Sequence, residues 1–230
     1  MEGLFSMIRW LQILYTLIVK DLGIEIKSKE IFITIIPFAI LVVTTFAVTS
    51  NSTSQIPEDI GAAIIWTSVL FSGSLAMIKF FSSEFDNQTM SGIILMPVPK
   101  ELIFFGKSIS FFIFLTISEL IILGAFSILF NSNAFSWLIL LGALIFNFGF
   151  SFIGTFFGTI AARSNSRESL LALLVIPLLI PIIMFVVEIT KASLSGFSPP
   201  NLSTWLGISI CYDIIFLVLL TFLFGKILEE

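Results

Sequence analysis

The sequence contains no histidine and a single cysteine, Cys211. The missing histidine excludes the commonest metal ligand, the Ser-His-Asp and Cys-His nucleophile systems and HExxH-type zinc sites. One cysteine excludes an intrachain disulfide, and its position within the last apolar segment indicates a packing role. We therefore predict no catalytic residue and no metal site in this chain.

Charged residues are also scarce. They make up 11% of the 230 residues, whereas 57% are hydrophobic and the mean hydropathy is +1.12. An ordinary soluble domain carries roughly 25% charged residues, so this composition excludes one and predicts a membrane protein. The net charge of −4, without any basic surface, gives no reason to expect a nucleic-acid partner.

Six segments are long and apolar enough to cross about 30 Å of hydrocarbon as helices, in which the backbone satisfies its own hydrogen bonds. They are 31–49, 60–81, 108–130, 137–161, 170–187 and 206–224. The connections between them are short, so there is no room for a second soluble domain. We predict one all-α, six-helix transmembrane domain over residues 1–230.

Lysine and arginine are distributed unequally between the two sides of this topology. Ten of the 11 fall on the side of the termini, and only Lys191 falls on the other side. Because cytoplasmic connections carry the excess of positive charge, we predict that both termini are cytoplasmic.

Residues 1–29 have the pattern of an amphipathic helix. The residues on its apolar face are Leu4, Met7, Ile8, Leu11, Leu14 and Ile18. Those on its polar face are Ser6, Arg9, Gln12, Thr16 and Lys20. Such a helix lies flat among the lipid headgroups. An alternative is an elbow helix that also touches a partner.

The longest connection between spans is residues 82–107, SSEFDNQTMSGIILMPVPKELIFFGK, which is charged and interrupted by proline. We expect Ser83 to cap a short helix that begins there and ends before the prolines. One interpretation is an interfacial helix that caps the bundle. The other is a coupling helix that docks on a soluble motor, through Glu84, Phe85, Asp86, Met90, Ile93, Ile94, Pro97 and Pro99.

Residues 101–108, ELIFFGKS, match the phosphate-loop motif GxxxxGK[ST] except at its first glycine. A phosphate loop needs flexible backbone whose amides turn toward the anion after a strand. Here the intervening residues are bulky and lead into a predicted membrane helix. We therefore expect any ATP to be bound by another chain.

Two carboxylates fall inside predicted spans, Glu119 in the third and Asp213 in the sixth. A carboxylate there costs several kcal/mol unless it faces a cavity, finds a partner or is protonated. One interpretation is a polar lining for a substrate path or a proton relay. The other is a protonated carboxyl group bonded to a neighbouring Ser, Thr or Asn.

Small residues recur every four positions in the fourth span, at Gly154, Gly158 and Ala162. This spacing permits close approach of another helix. The partner can be a helix of the same chain or, alternatively, a second copy in a homodimer. Pro37, Pro177 and Pro181 predict kinks in the first and fifth spans.

With its N-terminal surface helix and its connection after the second span, the chain resembles the type-2 ABC exporter permeases. Its motifs resemble those of the heme exporter protein B (CcmB) family. The matching residues around the connection are Lys79, Glu84-Phe85, 93–96, Pro97-Val98-Pro99 and Lys107, and a second block is 152–185. Gln88 and Ser91 depart from the family pattern, which usually has Gly and Glu there.

The resemblance implies a non-catalytic permease subunit, with no cofactor of its own, of a haem exporter in the cytoplasmic (inner) membrane that is needed for cytochrome c biogenesis. Its partners would be a separate ATPase similar to CcmA and a haem-handling membrane subunit similar to CcmC. Haem would be the delivered ligand, with its iron coordinated by a partner. The alternatives are a type-2 ABC permease for a lipid, glycan or drug, or a secondary transporter or scaffold without a motor.

Overall fold

The computed structural model describes residues 2–49, 57–86, 98–162, 167–196 and 201–227, and within these ranges every regular element is a helix. The helices are α1 (Glu2–Ser28), α2 (Glu30–Thr49), α3 (Glu58–Asp86), α4 (Lys100–Phe130), α5 (Trp137–Ala162), α6 (Arg167–Leu194) and α7 (Leu202–Ile227). The predicted all-α class is confirmed. Its physical basis is that isolated helices satisfy their backbone polar groups in hydrocarbon.

The predicted number of spans is also confirmed, because α2 to α7 each contain one stretch long and apolar enough to cross a membrane. These stretches are Glu30–Thr49, Glu58–Phe81, Lys100–Phe130, Trp137–Ala161, Leu173–Leu194 and Leu202–Lys226. The third begins at Lys100, earlier than the predicted 108. The segment resembling a phosphate loop therefore forms the first two turns of α4, since no residue in it breaks a helix.

The short helix expected in the connection does not begin at Ser83. Instead, α3 continues without interruption from Glu58 to Asp86, and Ser83 lies inside it. Extending an existing helix needs no new nucleus, and the residues between Phe81 and Asp86 include neither Gly nor Pro. The connection between α3 and α4 is correspondingly shorter than residues 82–107, and its residues 87–97 lie outside the described part of the chain.

The central helix of the bundle is α5, which packs against α3, α4, α6 and α7. Phenylalanine fills much of the space around it. Phe146 and Phe150 of α5 are fully buried, and their ring centroids are 5.6 Å apart. Phe111 of α4 meets Phe150 at 6.0 Å with nearly perpendicular rings. Such edge-to-face pairs stabilise the core beyond their buried area.

Glycines allow α3 to approach α5 closely. A Cβ atom at Gly154 would lie 2.8 Å from Met77 Sδ, and one at Gly158 would overlap the ring of Phe81. Both partners belong to α3. These contacts favour packing within the chain as the role of Gly154 and Gly158. Ala162 ends α5, and its side chain lies outside the described residues.

An elbow joins α1 to the first span. Lys29 adopts a left-handed conformation (φ 57°), and its N–H donates to the Glu25 carbonyl at 2.7 Å. The buried carboxylate of Glu25 accepts hydrogen bonds from the backbone N–H groups of Ile31 (2.7 Å) and Phe32 (3.3 Å). These are donors that the start of α2 cannot satisfy itself. Desolvation raises the pKa of Glu25 above its ordinary value, and the hydrogen bonds oppose this shift.

Substitution of Gly158 tests the close contact between α3 and α5. We expect Gly158→Ala to lower the free energy of unfolding by about 1–3 kcal/mol, because the added methyl group must displace the Phe81 ring. The measurement is an unfolding titration of the purified protein with SDS in mixed micelles.

The matched control is Gly207→Ala in α7, where a Cβ atom would have no neighbour within 4 Å. This variant should be as stable as the wild type or slightly more stable, because alanine favours helix over glycine. An equal loss in both variants would contradict the proposed contact.

Candidate functional site

The connection between α3 and α4 is the predicted docking element, and both of its ends lie within the described residues. Glu84, Phe85 and Asp86 occupy the last turn of α3. At the other end, exposed Pro99 precedes Lys100 with φ −52° and ψ 132°, an extended conformation that stops the chain from joining α4 earlier. Of the other predicted docking residues, Met90, Ile93, Ile94 and Pro97 lie outside the described residues.

The acidic residues at the end of α3 oppose the helix dipole. We predicted that they would lie in the first turn of a short helix, where negative charge is favourable. They instead lie at a C-terminal end, where carboxylates are unfavourable by some tenths of a kcal/mol, and this last turn holds no basic residue. Helix stability therefore does not account for Glu84 and Asp86.

The base of this connection is fixed to the bundle by buried contacts. Phe80 of α3 packs against Phe111 of α4, with ring centroids 5.5 Å apart. The ammonium of Lys107, a residue only 3% exposed, lies 5.8 Å from the centre of the Phe80 ring. Phe81 packs on Gly158 of α5. A displacement of the end of α3 would therefore act directly on α4 and α5.

Sequence reasoning did not predict the burial of Lys107. We had assigned it to the aqueous connection because it stands where charged residues give way to the apolar run. The structure places it in the second turn of α4, because α4 begins at Lys100. The available signal was Phe80, an aromatic residue near the end of the preceding span, because a lysine ammonium can lie over an aromatic ring.

Glu119 is buried in α4 and paired with an amide from α5. Asn147 Nδ2 donates to Glu119 Oε2 at 2.6 Å and to Thr116 Oγ1 at 3.3 Å. Within the described part of the chain, Glu119 Oε1 and Asn147 Oδ1 have no hydrogen-bond partner. The partner is thus an Asn, one of the residue types that we considered, but sequence reasoning did not identify Asn147. Its only signal was its position as a polar amide within an apolar span.

Asp213 approaches α5 from α7. The residue is 6% exposed, and its side chain lies against Gly149. Its Oδ1 atom has no hydrogen-bond partner among the described residues. Asp213 and Glu119 contact α5 at different residues, Gly149 and Asn147. The structure therefore gives them separate surroundings, and only Glu119 has a polar side-chain partner there.

Metal chemistry finds no support in the same region. The described part of the chain contains no group of three or more His, Cys, Asp or Glu side chains that could hold a metal ion. What the described residues show is a helix, α3, whose last turn is acidic and whose preceding residues Phe80 and Phe81 pack against α4 and α5.

Comparison with protein-family models gives one match, to a family described as CcmB protein, over residues 12–230. The match begins inside α1 and includes every predicted span and the α3–α4 connection. A comparison with curated protein sequences finds no match.

A double-mutant cycle tests the contact between Glu119 and Asn147. We expect Glu119→Ala and Asn147→Ala each to lower the free energy of unfolding, and the two losses to be non-additive by about 1 kcal/mol. Glu119→Gln should retain most of the stability, because an amide oxygen can still accept from Asn147 Nδ2. The measurement is again unfolding in SDS.

The control is Glu188→Ala, which removes an exposed carboxylate near the end of α6. It should change stability by less than about 1 kcal/mol. Additive losses for the pair at 119 and 147 would contradict a direct contact between them.

Proposed function

The chain belongs to the CcmB family, the membrane permease component of haem exporters in cytochrome c maturation, and from this premise we propose that it is an ATP-driven subunit. ATP hydrolysis takes place on a separate ATPase similar to CcmA. The motion that it produces enters this chain at the α3–α4 connection. The result is haem delivery, or release of a chaperone loaded with haem.

The observation that carries this proposal is the acidic last turn of α3. Glu84 and Asp86 are placed where they weaken the helix, so a binding role accounts for them better than a stabilising one. A basic surface on the ATPase would pair with them. The apolar residues that follow in the sequence, Met90, Ile93 and Ile94, would supply the buried centre of the same interface.

Helix packing would transmit motion from the end of α3 to the rest of the bundle. The residues next to the acidic turn, Phe80 and Phe81, contact α4 and α5 respectively. Close-packed helices shift as units rather than deform continuously. We therefore propose that docking and release of the ATPase reposition α3 together with α4 and α5, without chemistry on any side chain of this chain.

The haem iron is coordinated by a partner in this proposal. The sequence has no histidine, and its single cysteine lies in α7. A haem-handling membrane subunit similar to CcmC supplies the ligands. The distribution of lysine and arginine supports placing the termini and the α3–α4 connection in the cytoplasm. Membership of the CcmB family supports a location in the inner membrane.

Reversal of charge at the acidic turn tests this function. We expect Glu84→Lys combined with Asp86→Lys to weaken association with the ATPase at least about tenfold, because like charges facing each other across an interface cost several kcal/mol. Haem staining of c-type cytochromes should fall in parallel. Stability should not fall, since lysine suits the C-terminal end of a helix.

The matched control is the acidic pair at the opposite end of the same helix, changed as Glu58→Lys with Asp59→Lys. Asp59 is exposed and paired with Lys191 at 3.1 Å, a surface contact that contributes little to stability. This variant should still co-purify with the ATPase. Normal association and normal haem staining in the Glu84 and Asp86 variant would exclude the docking role.

A further inference from the structure

A cleft lies beside the contact between α1 and the beginning of α4, where Leu17 packs on Gly106. Its volume is about 360 Å³, and one stripe of α1 lines it together with Val98 and Ile103. The stripe includes Arg9 and Lys20, which we predicted to lie on the polar face of a surface helix. In the structure these two residues line the cleft.

The cleft has an apolar floor and cationic ends. Ile13 and Leu17 of α1 form the floor with Val98 and Ile103. Arg9 and Lys20 lie at the two ends of the stripe, eleven residues apart on one helix, which corresponds to about 16 Å. Arg9 is exposed and forms no ion pair within the described residues, whereas Lys20 contacts Asp21 at 3.1 Å.

The position of α1 brings this cleft to the membrane surface. The elbow at Lys29 connects α1 directly to the first span, which begins at Glu30. Trp10 and Tyr15 on α1 are 51% and 69% exposed. Exposed Trp and Tyr are enriched at the level of the lipid headgroups, where an apolar ring can meet hydrocarbon while its polar edge stays wet.

This combination fits an amphiphile that carries negative charge. An acyl chain can cover the apolar floor, and a phosphate can pair with a cation at either end. A small soluble anion would leave the floor exposed, and a zwitterionic lipid would bring its own positive group close to Arg9 and Lys20, which repel it. We propose that the cleft binds anionic phospholipid from the surrounding leaflet, with headgroup phosphates at Arg9 and Lys20 and acyl chain between them.

Reconstitution into nanodiscs of defined composition tests this site. Wild-type protein is exchanged into discs of dioleoyl phosphatidylcholine with increasing dioleoyl phosphatidylglycerol, and the lipids retained after extraction are counted by native mass spectrometry. We expect preferential retention of phosphatidylglycerol. Arg9→Gln should weaken this preference about fivefold, and Arg9→Gln with Lys20→Gln should weaken it further, since each cation near a charged surface contributes about equally.

Two further variants make the result decisive. Lys27→Gln removes an exposed cation from the same helix outside the cleft, and it should leave the preference unchanged. Arg9→Lys with Lys20→Arg preserves both charges, and it should retain phosphatidylglycerol as the wild type does. An equal loss for Lys27→Gln, or no loss for Arg9→Gln, would overturn the proposed site, as would equal retention of the two lipids by the wild type.

Discussion

Every backbone N–H and C=O group within the hydrocarbon must find its hydrogen-bond partner inside the protein, and the architecture depends on this requirement. Helices meet it individually, so α2 to α7 can each cross the membrane with little support from neighbours. Association of the helices then depends on close contact rather than on removal of apolar surface from water. This explains why so many decisive positions are glycines, and why α2 and α7 can leave large apolar faces for lipid.

The contacts that give the bundle its specific arrangement converge on α5. Gly154 and Gly158 admit α3, Gly149 admits Asp213 of α7, and Asn147 binds Glu119 of α4. Elsewhere, Trp66 of α3 donates from Nε1 to Thr190 Oγ1 of α6 at 2.8 Å, and the Tyr212 hydroxyl donates to the Leu178 carbonyl at 2.6 Å. In hydrocarbon such polar contacts have few competitors, so each one restricts how neighbouring helices can pair.

Hydropathy predicted the six spans because length and apolarity alone determine whether a helix can cross a bilayer. It could not locate helix ends as well: Lys100 begins α4 before the apolar run, and α3 extends through Ser83. It also could not identify neighbours. Asn147 as the partner of Glu119, the burial of Lys107 and the cleft beneath the polar stripe of α1 all depend on which helices meet, which no local pattern encodes.

The features that support the proposed function meet at the end of α3. The last turn of α3 carries acidic residues, which are unfavourable at the C-terminal end of a helix. The turn before it packs on α4 through Phe80 and on Gly158 of α5 through Phe81. A partner that binds this turn is therefore coupled to the centre of the bundle by direct contact. Nothing in this mechanism requires the chain itself to hold nucleotide, metal or haem iron.

Site-specific photocrosslinking in cells tests whether the ATPase docks at the α3–α4 connection. A photoreactive residue replaces Met90, in the α3–α4 connection, or Ser132, between α4 and α5 at the opposite end of the bundle. We expect an adduct with the ATPase from position 90 and none from position 132. An adduct from position 132, or none from position 90 while the ATPase still co-purifies, would contradict it.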